Sequence, residues 1–194
     1  VELAKKDMDA ITSFLVVVDS SSSMTSTVPG MNFTSYDVAK AMALYFSQLL
    51  EGPFHNHFME FNDSARLIEW KGNTAVQKLQ NNSCEAYGST NFSGVASAFA
   101  KIKAQGVPES EFPEGILAIS DGCFNGIKTK SASEKLKSDL FSAGFSMEYI
   151  KNFKIVIWDI PNGYYGGRAS GFETMGDERN TFYLSGYDGS SIAF

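Results

Sequence analysis

The sequence predicts a three-layer, doubly wound α/β fold: a mostly parallel sheet with one antiparallel edge strand and helices on both faces. Three observations lead there. The runs Phe14-Leu-Val-Val-Val-Asp19, Gly115-Ile-Leu-Ala-Ile-Ser-Asp121 and Lys154-Ile-Val-Ile-Trp-Asp-Ile160 are apolar at nearly every position, as strands covered on both faces are. Stretches with helical spacing alternate with these strands, the order of βαβ units. One pair of strands is joined by a link too short for a crossover and must form a hairpin.

Taken in order, the first strand runs from Phe14 to Asp19 and is followed by four consecutive serines, Ser20 to Ser23. After a loop through Pro29 and Gly30, residues 35–50 place Ala39, Met42, Ala43, Phe46, Leu49 and Leu50 at helical spacing, with Thr34 or Ser35 as cap and Gly52-Pro53 as stop. Residues 55–61 and 65–70 are strands separated only by Asn62-Asp63-Ser64, hence the antiparallel hairpin. Residues 73–80 read as a short amphipathic helix, 81–93 as a polar loop and 93–103 as an alanine-rich helix. The strand ending at Asp121 comes next, then helices over 131–144 and 146–153 separated by Gly144. The strand at 154–160 leads to a glycine-rich connection over 161–180, longer than compact domains usually carry without a use. Residues 181–186 form the last strand, and 188–194 read as the start of a helix.

At 194 residues the chain is read as one domain over 1–194, and its first residues, which lack an initiator Met, read as a start inside a longer protein. No run approaches the roughly 18 apolar residues that span a bilayer, and no signal-peptide pattern opens the chain. The net charge is −6, with Lys and Arg scattered rather than gathered into a stripe, which argues against a grip on nucleic acid. Cys84 and Cys123 have no metal spacing and read as free thiols, which leans toward a cytoplasmic, intracellular protein. Sequons at Asn32, Asn62, Asn81 and Asn91 are short enough to arise by chance, and a glycan on Asn91 would crowd the rim described next.

The chemistry gathers where strands end. In an open α/β sheet, sites lie at the carboxyl edge of the strands. Asp19, Ser21 and Ser23 alternate by two, so in an extended chain their oxygens point one way, a set that suits a hard cation such as Mg²⁺. The plainer alternative is a serine-rich loop with Asp19 capping the next helix. The loop Gly88-Ser-Thr-Asn-Phe92 and the end of the strand at Asp121 can share the same rim.

These residues resemble a known family. Asp-x-Ser-x-Ser at Asp19, Ser21 and Ser23, the Gly-Ser-Thr-Asn-Phe loop with Thr90, and Ser-Asp-Gly with Asp121 look like the metal-ion-dependent adhesion site (MIDAS) of a von Willebrand factor A-type (vWA) domain. The resemblance runs from about Thr12 to Ser190 and includes the order of elements. It implies a Rossmann-like vWA sheet in which Ser21 and Ser23 bind Mg²⁺, Mn²⁺ or Ca²⁺ directly, Thr90 directly in one state, and Asp19 and Asp121 directly or through water. It implies a non-enzymatic protein-binding module, the ion accepting an Asp or Glu carboxylate from a partner. Trp158-Asp159 and Leu184-Ser-Gly-Tyr-Asp188 also look like the vWA-like C-terminal part of certain phage, giant-virus, plant and fungal proteins, and less closely like Ro-type RNA-binding proteins.

Two other readings compete. A Mg²⁺-dependent hydrolase would use the ion to activate water. It lacks a second acid two residues after Asp19, a Walker glycine loop, and a Gly-x-Ser-x-Gly elbow around Ser20 to Ser23. The other is a vWA scaffold with a vestigial metal site that binds partners elsewhere, for example through Tyr164, Tyr165 and Arg168. His55 and His57 read as residues of one strand face, structural rather than metal-binding. Cys123, just past Asp121, reads as a small residue packed under its loop rather than a reactive thiol.

Overall fold

A computed structural model of the chain describes residues 13–28, 30–82, 86–121, 129–160 and 180–185. Outside these lie both cysteines, the Tyr164-Tyr165-Arg168 segment with nearly all of the 161–180 connection, and the 188–194 segment read as a helix start. The strands are β1 (Phe14–Asp19), β2 (His57–Phe61), β3 (Ala65–Glu69), β4 (Gly115–Ser120), β5 (Lys154–Asp159) and β6 (Thr181–Ser185). The helices are α1 (Ser35–Ser47), α2 (Ala75–Asn81), α3 (Gly94–Ala104), α4 (Thr129–Ser142) and α5 (Met147–Asn152).

The strands form one sheet in the order β3-β2-β1-β4-β5-β6. Only the β2–β3 hairpin at the edge pairs antiparallel, and the remaining pairs are parallel. The fold class read from sequence therefore holds. Side-chain alternation sorts each strand between two cores. Leu15, Val17, Met59, Phe61, Ile116, Ala118, Ile155 and Ile157 face α3, α4 and α5. Phe14, Val16, Val18, Phe58, Leu117, Ile119, Val156 and Trp158 face α1, with α2 contributing only a partly buried Leu79. This is why β1 reads as continuously apolar: both of its faces are covered.

The chain leaves β1 toward β2 under one layer of helices and leaves β4 toward β5 under the other. The winding direction thus reverses between β1 and β4. A crevice opens at the carboxyl ends of such a pair, and that is the general place for ligands in open α/β sheets.

Local chemistry sets the element ends. Thr34 caps α1: its hydroxyl accepts the Asp37 N–H at 3.1 Å while the Asp37 carboxylate accepts the Thr34 N–H at 2.8 Å. The helix stops at Ser47, short of the expected 50, and Gly52–Phe54 makes its own 3-10 turn. The short helix α2 departs from the amphipathic expectation, since none of its residues is buried and Val76 is 63% exposed. Strand β2 begins at His57 rather than His55, because Asn56 adopts a left-handed φ of 61° that breaks the extended run. The two histidines therefore do not share a strand face. The His55 Nδ1 lies 2.8 Å from the Leu50 carbonyl oxygen, and the His57 Nδ1 lies 2.7 Å from that of His55.

Among the described residues no helix is long and apolar enough to cross a membrane.

Phe99 of α3 is fully buried, with ring centroids of Phe112, Phe54, Phe145 and Phe153 at 5.4 to 6.3 Å. Replacing it removes the hub of that layer and leaves a cavity that its neighbours fill only in part. Phe99→Ala is expected to lower stability by about 3–5 kcal/mol in denaturant titration. A loss under about 1 kcal/mol would mean the layer collapses around the gap.

Candidate functional site at the carboxyl rim

Asp19 ends β1 and is completely buried. Its Oδ1 accepts the Ser21 N–H at 2.8 Å, and its Oδ2 accepts the Ser120 hydroxyl at 2.6 Å from the neighbouring strand β4. Both carboxylate oxygens are thus fixed, one by the turn that follows and one by the strand alongside. Burial pushes the Asp19 carboxyl up to about 6; the Ser120 and Ser21 hydrogen bonds partly offset this, and the negative charge of Asp121 adds to it. The charged neighbour that acts on it is thus another acid.

Beyond Asp19 the chain does not stay extended. Residues Ser22–Thr25 form a 3-10 turn, so the expectation that alternation along an extended chain aligns Ser21 with Ser23 fails as stated. The turn delivers the result by another route, bringing the Ser21 and Ser23 hydroxyl oxygens to 3.1 Å of each other. Asp19 does not cap α1, a task Thr34 performs; its carboxylate accepts the Ser21 N–H at the entry to the 3-10 turn instead.

The loop bearing Thr90 is tied to the same segment. The Tyr87 N–H donates to the Ser20 carbonyl at 2.9 Å, and the Ser22 N–H and hydroxyl both reach the Gly88 carbonyl at 3.4 Å. Thr90 is buried while Ser89 and Asn91 on either side of it are exposed. Asn91, one of the sequon asparagines, uses its side-chain amide to hold the Asp63 carbonyl at 3.2 Å.

The rim collects acids. Asp19 ends β1, Asp63 lies in the turn after β2, Asp121 follows β4, and Asp159 ends β5 opposite Ser120. Four neighbouring parallel strand ends thus present carboxylates on one edge. Among the described residues no three His, Cys, Asp or Glu side chains cluster as a metal site, so a cation held here would depend on hydroxyl ligands.

The donor set fits such an ion in kind. Paired hydroxyls beside a buried carboxylate, with the charge of Asp121 acting on it, offer the hard oxygen ligands that Mg²⁺ or Mn²⁺ takes. A positive charge would also relieve the cost of ionising Asp19 in its desolvated position.

Two contributors escaped the sequence reading. Ser120 was visible within Ser-Asp-Gly but had no assigned part, and Asp63 looked like a turn residue. The signal for Asp63 is its setting, since an acid in a turn at the carboxyl end of a parallel strand faces this rim.

Among families, the model of DUF7788, a domain of unknown function, matches residues 13–193. The chain belongs to this family. No curated protein sequence matches it. Solved structures similar to this DUF7788 chain include the SpRpn10 VWA domain, at 12% identity and TM-score 0.51, covering 93% of this chain and 90% of that one. An aerotolerance-related membrane protein from Bacteroides fragilis NCTC 9343, carrying multiple mutations to serines, matches at 15% identity and TM-score 0.53, with 93% of each chain covered. BatB from Bacteroides thetaiotaomicron gives 13% identity and TM-score 0.49 over 76% of this chain, which spans 65% of the length of that structure. The DUF7788 chain thus has a vWA-like, Rossmann-like α/β fold.

The raised pKa of Asp19 has a defined consequence for stability. The folded state holds its proton more tightly than the unfolded state, so between about pH 4 and pH 6 the folded protein loses stability as pH rises. Asn at this position keeps an acceptor for the Ser21 N–H and donates to the Ser120 hydroxyl, without a charge to desolvate. In metal-free buffer, Asp19→Asn is therefore expected to gain about 2 kcal/mol over the wild type between pH 4 and pH 7, measured by denaturant melts at each pH. A difference that stays flat with pH would show that Asp19 ionises without cost.

Proposed function

We propose that this DUF7788 domain is a non-enzymatic, metal-dependent protein-binding module of the MIDAS type. Ser21 and Ser23 would hold a divalent cation, Mg²⁺ or Mn²⁺ or Ca²⁺, together with Thr90, while Asp19 and Asp121 act directly or through water. The observation that carries this reading is the Ser21–Ser23 hydroxyl pair at 3.1 Å above a fully buried Asp19 whose oxygens are both already engaged.

That engagement divides the work. With Oδ1 and Oδ2 turned to the Ser21 amide and the Ser120 hydroxyl, Asp19 orients the serine turn and supplies charge, and the hydroxyls supply the contacts. When bound, the cation contributes an electrophilic position, because neutral hydroxyls and water leave its charge largely unspent. The group suited to that position is a carboxylate, so the partner is a protein presenting Asp or Glu. The vWA-like fold supports a role in protein interaction. The same reading expects no direct nucleic-acid binding from this domain, consistent with its net charge of −6.

A cation that binds only the folded state raises its stability by about 2.7 kcal/mol at a hundred times its dissociation constant. For a chain of this length that corresponds to about 5–10 °C in the melting temperature. Addition of Mg²⁺ or Mn²⁺ is expected to produce such a shift in the wild type and none in Ser21→Ala/Ser23→Ala. An unshifted wild type would contradict the proposal. Turnover in a phosphatase and esterase screen that disappears in Asp121→Ala would assign a metal-dependent hydrolase instead.

A further inference from the structure

Thr90 owes its place to a neighbour that is not among the proposed ligands. Asp63, in the turn of the β2–β3 hairpin, receives the Ser89 N–H on Oδ1 at 3.0 Å and the Ser89 hydroxyl on the same oxygen at 2.6 Å. On the other side of Thr90, the Asn91 N–H donates to the Asn62 carbonyl at 2.7 Å, and the Asn91 side chain donates to the Asp63 carbonyl. The next residue, Phe92, is buried against Phe61 with ring centroids 5.4 Å apart. Thr90 is therefore flanked on both sides by residues fastened to the 61–63 turn.

Gly88 completes the fit. It has a left-handed φ of 79°, and a Cβ there would lie 2.6 Å from the Asp63 Oδ2. The carboxylate therefore packs flat against the loop backbone where only glycine leaves room. Since the Gly88 carbonyl also meets Ser22, the hairpin turn, the Thr90 loop and the serine turn are joined in series.

We infer that Asp63 is a positioning residue that fixes the Thr90 loop against the serine turn, so that the cation affinity of the rim is set by the edge hairpin. This rests on the metal-binding reading above. Asp63 acts through Ser89, and the role inferred for it is geometric: one oxygen accepts two donors from the residue before Thr90. An asparagine retains that oxygen and loses the charge, whereas an alanine loses both.

Isothermal titration of Mg²⁺ into wild type, Asp63→Ala and Asp63→Asn separates these effects, with hydrogen exchange at the Ser89 amide read in parallel. Asp63→Ala is expected to bind about tenfold more weakly, the equivalent of roughly one hydrogen bond, and Asp63→Asn to stay within about threefold of wild type. The Ser89 amide should exchange faster in the alanine variant only. If Asp63→Ala does not fold, Ser89→Ala, which removes the hydroxyl bond alone, takes its place with the same expected direction. Wild-type affinity in the alanine variant, or equal weakening in Asp63→Asn, overturns the inference while leaving the metal site intact. Absence of Mg²⁺ binding in the wild type overturns both this inference and the function it rests on.

Discussion

A carboxylate buried at the end of the central strand is the constraint on which the site is built. Asp19 sits with no exposure in a sheet whose faces are otherwise apolar, and its ionisation is opposed by that burial. The fold answers with the Ser21 amide and the Ser120 hydroxyl, which come from two different segments and fix the carboxylate from both sides. The hydroxyl turn follows directly on Asp19, the charge of Asp121 acts on it, and the loop that carries Thr90 is tied to Ser20 and Ser22. Such a group is expensive to keep for structure alone, and this is the physical ground for treating the rim as functional.

The rest of the domain supplies rigidity. Alternating side chains of four parallel strands fill two separate cores, and aromatic rings around Phe99 brace the layer that carries α3. Helix α3 begins directly after the Thr90 loop, so its packing and the anchoring of Phe92 on Phe61 hold one end of that loop. The hairpin turn holds the other through the Asp63–Ser89 bonds, and reinforces the first through the Asn91 N–H on the Asn62 carbonyl. The edge of the sheet thus reaches the rim through hydrogen bonds that cross between elements far apart in sequence.

What could be read beforehand follows from periodicity and chain length. Strand β1 announced itself because an apolar run covered on both faces has no polar positions, and the hairpin followed from a three-residue link, Asn62-Asp63-Ser64, that permits nothing else. Asp19, Ser21 and Ser23 were recognisable as a group from their spacing, yet the backbone that brings the two serines together is a 3-10 turn closed by local bonds such as Met24 N–H to the Ser21 carbonyl, which alternation by two does not signal. The left-handed Asn56 that removes His55 from β2 carries no periodic signal. Nor does the acceptor role of Asp63, because its partner Ser89 is 26 residues away and meets it only once the sheet has formed. The short helix α2 has a helical pattern and a Thr74 cap, but its position outside the main packing leaves Val76 in solvent.

The account stands on one ion seated among oxygens from separate turns, and anomalous scattering from crystals grown with Mn²⁺ tests it most directly. The predicted result is a single peak at the carboxyl rim, within about 2.5 Å of the Ser21 and Ser23 hydroxyl oxygens, with Thr90 or Asp121 in its shell. A peak elsewhere on the molecule, or none at the rim at saturating Mn²⁺, would contradict it.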